Sequence, residues 1–274
     1  MSLLFSEGVA RNYDRWFLSP EGRYVERVEN QLLLELLRPA AGQTILDVGC
    51  GTGNHLLLFR QLGLDVSGLD SSEAMLEVAR DKLGHRAELH LGFAEDLPFD
   101  DNSFDLVSII ATLEFCDQPT AALAEAFRVA REKVVIGALN RLSAQGTRRR
   151  RSGLATVDML SGVRFFSIWE LQSLVRRHHG GRLRWGSVIW LPLPVYRWDQ
   201  ALCRRFSWRK NPFAAFLGLE VKLIYTRQAR MTPLLDSWLR GSRSRIRPGH
   251  VAPKEGRPCP MEPVEVKDAV EGAP

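Results

Sequence analysis

A short apolar run that ends in three alternating glycines constrains this chain more than any other feature. Ile45-Leu46-Asp47-Val48 runs into Gly49-Cys50-Gly51-Thr52-Gly53, and Leu69-Asp70 follows seventeen residues later. The pattern reads as a buried strand, a glycine loop, a helix and a second strand that ends on a carboxylate. Glycine reaches positive φ without a Cβ penalty and lets the backbone close on a ligand. An acid at the tip of the second strand is placed to hold the two hydroxyls of a ribose.

The same residues discriminate between nucleotides. A dinucleotide fingerprint, G-x-G-x-x-G, would put its third glycine where Asn54 stands, and the lysine of a P-loop is missing. Asp47, beside the loop, would repel a pyrophosphate but attract an ammonium. S-adenosylmethionine carries an ammonium, a ribose and no phosphate, so one ligand accounts for both Asp47 and Asp70.

On these residues the chain resembles the class I S-adenosylmethionine-dependent methyltransferases, and most of all the subgroup with the ubiquinone/menaquinone and biotin-pathway enzymes. Leu46–Gly53 is similar to their first motif, and Gly68–Leu76 to their second-strand acid and following helix. Ala94-Glu95-Asp96-Leu97-Pro98-Phe99 and Asp101–Val107 resemble the adenine-side loop and fourth strand. The likeness covers about residues 10 to 140 and fades afterwards. It implies a cofactor site of Asp47, Gly49, Cys50, Gly51, Gly53, Asp70, Ser71, Met75, Ala94, Glu95, Asp96 and Thr112. It also implies that Tyr13, in a Tyr-Asp pair, belongs to an N-terminal lid over the cofactor; alternatively Trp16 and Phe17 dock that segment onto the sheet.

Beyond the motifs, strand and helix alternate: 44–48, helix 53–62, 64–69, helix 72–83, 86–91, 104–111, helix 118–130 and Val134–Leu139. A helix over 21–38, with Val25, Val28, Leu32 and Leu36 on one face, precedes them. Asp117 is a candidate N-cap, with Pro119 in the first turn. Such alternation implies an α/β fold, a doubly wound and mostly parallel sheet with helices on both faces. A helix at 167–179, a strand at 182–190 and an alternating strand from Glu220 to Thr226 complete seven strands; the resemblance puts the last one antiparallel at the sheet's end. The expected organisation is a lid and helix over 1–40, a Rossmann-like methyltransferase domain over 41–228 and a disordered basic, Pro-rich tail over 229–274, with a short helix at 233–240. The insert 191–218, rich in aromatic residues, either covers one end of the sheet or walls the substrate pocket.

Composition excludes more than it identifies. The four cysteines, Cys50, Cys116, Cys203 and Cys259, are scattered without zinc spacing, which favours reduced thiols in the cytoplasm and no metal. No signal peptide and no transmembrane run is expected. Net charge is +5, with Arg148–Arg151 unbroken. That run is either a solvated loop or a site for an anionic partner such as nucleic acid, an acidic carrier or phospholipid.

Methyl transfer is an in-line displacement at an activated carbon, so the protein chiefly aligns the acceptor and excludes water. A base is needed only where the acceptor must lose a proton. Glu114, after the fourth strand, stands where many related enzymes have a histidine and is the catalytic candidate. No Asn-Pro-Pro-Tyr and no Pro-Cys occurs, which disfavours adenine-N6, glutamine and cytosine-C5 chemistry. The expected acceptor is a small molecule, lipophilic or carrier-linked. RNA or protein as acceptor, and a binding factor without turnover, are the alternatives.

Overall fold

A computed structural model describes residues 7–143, 163–189 and 210–223. Two helices, α1 (Glu7–Phe17) and α2 (Pro20–Leu37), lead into alternating strands and helices: β1 (Thr44–Val48), α3 (Asn54–Gln61), β2 (Asp65–Asp70), α4 (Glu73–Leu83), β3 (Glu88–Leu91) and β4 (Phe104–Ile110). There follow α5 (Pro119–Val129), β5 (Ala130–Leu139), α6 (Ile168–His178), β6 (Leu183–Val188) and β7 (Phe216–Lys222). The seven strands form one sheet in the order β3-β2-β1-β4-β5-β7-β6. Neighbours from β3 to β5 are parallel, and β7 runs antiparallel to β5 and β6.

Local chemistry starts the helices where they start. Ser19 accepts a hydrogen bond from Gly22 N–H at 3.0 Å and Pro20 fills the first turn of α2. Ser72 caps α4 through Met75 N–H, and Ser167 with Glu170 forms a reciprocal capping box on α6. The α1–α2 connection is tight because residue 22 is glycine: a Cβ there would lie 2.2 Å from the Trp16 carbonyl oxygen.

Both faces of the sheet are covered. One core packs Leu123, Ala126 and Val129 of α5 and Leu171, Leu174 and Val175 of α6 against the strands. The other packs α2, α3 and α4 through Leu32, Leu33, Leu36, Leu56, Phe59, Leu76 and Ala79. β1 and β4 are buried along most of their length, on both faces of the sheet, with Asp47 and Ser108 the polar residues inside them. Gly137, Gly218 and Gly186 lie abreast on β5, β7 and β6. A Cβ at Gly218 would meet Leu36 at 2.7 Å, so that glycine admits α2 close to the sheet.

The structure corrects several boundaries. The last strand lies inside the sheet, with β6 at the edge, and it spans Phe216–Lys222 rather than starting at Glu220. Six of its seven residues are buried, so the alternation expected of a one-sided strand is absent. Glu220 tolerates this burial because Arg184 Nη1 donates to it at 2.8 Å. β5 begins at Ala130, four residues before its apolar stretch. Its charged start reaches the rim of the sheet, where Arg131 pairs with Asp105 and Lys133 Nζ donates to the Leu37 carbonyl. Gln118, without a side-chain bond, occupies the N-cap of α5 in place of Asp117. Arg148–Arg151, the insert from 191 to 209, Cys203, Cys259 and everything from residue 224 onward, the 229–274 tail included, lie outside the described residues.

Candidate functional site

The carboxyl ends of β1, β2 and β4 converge on the glycine loop. Gly49, Gly51 and Gly53 all have positive φ, at 74°, 54° and 79°. Gly49 is doubly constrained, since a Cβ there would fall 2.3 Å from both Oγ1 and Cγ2 of Thr112. Around Gly51 the situation is reversed: no atom lies within 4 Å of where its Cβ would be, so the backbone faces open space. The loop is anchored from below, where Gly49 N–H and Cys50 N–H donate to the Leu69 carbonyl at 2.6 and 3.0 Å. The Cys50 side chain turns away, toward Gly68 of β2.

Two aspartates flank this loop in different states of satisfaction. Asp70 receives Gly51 N–H on one oxygen at 2.8 Å and Ser72 N–H on the other at 2.9 Å. Burial raises its pKa, and the N–H groups of Ser72, Gly51 and Ser71 oppose the rise. Three backbone N–H donors do not exhaust the four lone-pair sites of the carboxylate, so Asp70 keeps acceptor capacity. Asp47 is almost fully buried (1% exposed) and takes the Ser108 hydroxyl on Oδ1 at 2.7 Å, while Oδ2 is buried with no partner. Burial, with the charge of Asp70 adding and the Ser108 bond opposing, pushes its pKa up to about 7. An unsatisfied buried carboxylate oxygen is costly and calls for a cationic or donor group.

Helix α1 reaches these groups through Tyr13 and Asp14. Tyr13 is 37% exposed as a whole residue, yet desolvation around its phenol, with the charges of Glu29, Asp14, Asp47 and Asp70 adding, raises it above its usual range. Tyr13 on α1 thus lies in the field of both aspartates. Asp14, its neighbour, accepts from Thr52 Oγ1 at 3.0 Å and from Lys82 Nζ at 2.5 Å, and Lys82 also donates to Asn54 Oδ1. This tether joins α1 to the glycine loop and to α4.

The remaining expected residues divide. Thr112 braces the loop, its hydroxyl 3.0 Å from the Val48 and Ile110 carbonyls. Beside it, Ala111 is held at φ 51°, a strained value for a residue with a Cβ. Met75 is buried yet belongs to neither hydrophobic core. Ala94 packs into the α5–α6 core, Glu95 accepts Gln118 N–H at 3.2 Å, and Asp96 is exposed. Cys116 is an inert thiol, raised to about 12 by burial and by the charges of Glu95, Glu114 and Asp117. His55 is kept neutral by burial, its pKa lowered to about 4.

Glu114 is buried (3% exposed), and its Oε1 accepts Leu139 N–H at 2.6 Å from the end of β5. Its Oε2 has no partner, and burial raises its pKa to about 7 against the Leu139 bond. Sequence reasoning missed Ser108, Lys82 and Glu29. Ser108 could have been noticed as the one polar residue in Leu106-Val107-Ser108-Ile109-Ile110. Lys82 and Glu29 sit among the ordinary charged residues of their helices, and nothing local marks them.

The site fits S-adenosylmethionine. Asp47 Oδ2 is buried without a partner, Asp70 is fixed by backbone N–H groups, and the backbone at Gly51 is open to close approach. Among the described residues no cluster of His, Cys, Asp and Glu could hold a metal, and no helix is long and apolar enough to cross a membrane.

Comparisons with known proteins agree. Residues 46–136 match a family model described as a methyltransferase domain. The malonyl-[acyl-carrier protein] O-methyltransferase of Pectobacterium atrosepticum is 36% identical over 113 residues, covering 41% of this chain and 44% of that protein. The demethylmenaquinone methyltransferase of Clavibacter sepedonicus is 38% identical over 133 residues, covering 47% and 53%. The chain thus spans about half the length of the curated relatives it matches. A Thermotoga maritima structure, described as a SAM-dependent methyltransferase and possible histamine N-methyltransferase, superposes with a TM-score of 0.65 at 25% identity, covering 81% of this chain and 98% of that one.

Proposed function

The chain carries a class I S-adenosylmethionine-dependent methyltransferase domain, and from that premise we propose that it methylates a small-molecule acceptor. The observation that carries the proposal is the pair of aspartates around an open glycine loop: Asp47 with a free buried oxygen, Asp70 with both oxygens already aimed by backbone N–H groups. In this reading Asp47 takes the ammonium of the cofactor's amino-acid end and Asp70 takes the ribose hydroxyls. Met75, Ala94, Glu95 and Asp96 border the purine, Thr112 and Cys50 hold the loop's shape, and Tyr13 closes the lid. The cofactor supplies a methyl carbon already activated by its sulfonium, so the chain's work is to align an acceptor and keep water out. Glu114, close to neutral pKa at the carboxyl edge, is the group available to orient the acceptor or take its proton.

A carrier-linked or lipophilic acceptor has support from the relatives' names, which specify an acyl-carrier-bound malonyl group and a demethylmenaquinone. A cytoplasmic location belongs to the same proposal. The test is calorimetric titration of S-adenosylhomocysteine into the wild type and Asp70→Ala, followed by transfer of labelled methyl from S-adenosylmethionine into fractionated extract. Binding that Asp70→Ala weakens, with label in the small-molecule or lipid fraction, supports the reading. No binding, or label confined to RNA or to protein other than an acyl carrier, overturns it.

A further inference from the structure

We propose that the corner between α1 and α2 docks on an anionic phospholipid surface, with Trp16 and Leu18 entering the headgroup layer and nearby arginines meeting the lipid phosphates. This goes beyond the reading above and does not depend on which acceptor is methylated. Three of the eight large apolar side chains that stand exposed among the described residues, Tyr13, Trp16 and Leu18, fall within six positions of one another. Trp16 is 40% exposed and Leu18 69%. Single exposed apolar residues are ordinary on any protein surface, whereas a group of them marks a contact.

The backbone holds this group out. α1 turns Ala10, Asp14 and Phe17 toward the protein, Ala10 fully buried, and leaves Arg11, Arg15 and Trp16 on its opposite side. Leu18 N–H donates to the Arg15 carbonyl at 3.1 Å and Ser19 N–H to the Trp16 carbonyl at 3.0 Å, so the chain bends at once after the helix. Gly22 packs onto the Trp16 carbonyl across that bend, and Ser19 caps α2. Phe17 stands edge-on to the rings of Tyr13 and Trp16, with centroids 5.1 and 5.0 Å away. Leu18 is thereby held exposed in a closed corner beside Trp16.

Charge selects the occupant. From Gly8 to Val28 every exposed ionic side chain is an arginine: Arg11 and Arg15 one turn apart on α1, Arg23 and Arg27 one turn apart on α2. The acids of the same stretch, Asp14, Glu21 and Glu26, are half-buried; Asp14 pairs with Lys82, and Glu26 lies in the field of that lysine. Arg15, Arg23 and Arg27 form no ion pair among the described residues. Basic side chains around an exposed Trp and Leu match a bilayer interface, where phosphates take the arginines and an indole sits at headgroup depth. RNA would use the arginines equally well but offers nothing to the aliphatic side chain of Leu18. Because α1 also carries the Asp14–Thr52 bond to the glycine loop, a docked corner sets the proposed cofactor end beside the bilayer.

The experiment uses the full chain and sedimenting vesicles of phosphatidylcholine, with and without about 30% phosphatidylglycerol. The anionic vesicles should be bound at least about tenfold tighter than the neutral ones, and that binding should fall about tenfold as salt rises from about 50 to about 300 mM. Brominated phosphatidylcholine in the anionic vesicles should quench part of the tryptophan emission. Trp16→Phe should remove that part while keeping vesicle affinity within about threefold. Leu18→Ser, and separately Arg15→Glu combined with Arg23→Glu, should each weaken vesicle binding about fivefold or more. S-adenosylhomocysteine affinity and Tm without vesicles should stay at the wild-type values in every variant, which separates loss of the docking surface from misfolding. S-adenosylhomocysteine binding to the wild type reports separately on the cofactor reading. Vesicle binding that is absent, or that survives both the Leu18 and the arginine variants, overturns the proposal, since Arg148–Arg151 or another basic segment would then account for it. Single-stranded RNA bound through Arg15 and Arg23, with no vesicle binding, assigns the surface to nucleic acid and overturns it too.

Discussion

The proposed cofactor end and the proposed acceptor end of this sheet's carboxyl edge are built from different materials. Around β1, β2 and β4, function resides in backbone: three positive-φ glycines, N–H groups aimed at Asp70, and a loop braced by Thr112. Around β5 the groups come from distant parts of the chain: Glu114 from a turn, held by the Leu139 N–H of a strand end, with Glu29 of α2 in its field. A backbone-built site needs contiguous sequence, because the loop that makes it must have one conformation. A side-chain-built site needs only that the fold bring the pieces together, which leaves it free to vary without disturbing the cofactor.

The largest expected effect tests the backbone half. Gly49→Ala forces a Cβ into Thr112 at a φ of 74°. The cost should be at least ~3 kcal/mol, felt as a lower Tm and lost S-adenosylhomocysteine binding. Unchanged melting and binding would show that the loop yields, and the contrast between the two ends would weaken. Next comes Asp70→Ala, which removes the acceptor for both Gly51 N–H and Ser72 N–H. Cofactor affinity should fall by about 1–3 kcal/mol in calorimetry. Glu29→Gln, at the other end, should leave that affinity within about 0.5 kcal/mol.

The same contrast explains what the sequence made legible. Leu46–Gly53 and Asp70 announced themselves because glycine spacing and a strand-end acid are local signals, and alternating strands and helices implied the parallel sheet. The position of β7 was not legible. An interior antiparallel strand differs from an edge strand only in what flanks it, and Phe216–Lys222 shows burial on both faces where alternation was expected. Glu29 was invisible for a related reason: on paper it is one more charge on an amphipathic helix, and only the folded chain puts it in the field of Glu114.

Titration gives a third, intermediate effect that spans both ends. Asp47, Glu114 and Glu29 have folded-state pKa values of about 7, 7 and 8, well above those of unfolded carboxylates. The folded protein therefore binds more protons than the unfolded chain from about pH 4 to pH 8. This contribution to stability is complete below the unfolded pKa values and is lost as pH rises through 7 to 8. The free protein should lose roughly 3–6 °C of Tm between pH 5.5 and 8.5. S-adenosylhomocysteine should flatten the Asp47 part of that decline, and Asp47→Asn should remove it while abolishing cofactor binding. A Tm that rises over this interval would contradict the burial of all three groups.

The smallest effect concerns the lid, which belongs to neither end alone. Asp14 joins α1 to the glycine loop through Thr52 and to α4 through Lys82, with both charged side chains partly solvated at 32% and 20% exposure. Solvent weakens such a pair, so Asp14→Asn should cost global stability no more than about 1 kcal/mol. Its effect on cofactor release should be proportionally larger, a 3- to 10-fold faster dissociation in stopped-flow, because the tether acts where the lid must open. Arg80→Ala provides the comparison. Arg80 pairs with Glu73 on the same helix at 2.6 Å, but both side chains are about half exposed and neither touches the loop. Its loss should change neither Tm nor dissociation measurably. Equal effects of the two variants on dissociation would mean that Asp14 contributes only surface charge and that α1 does not control the site.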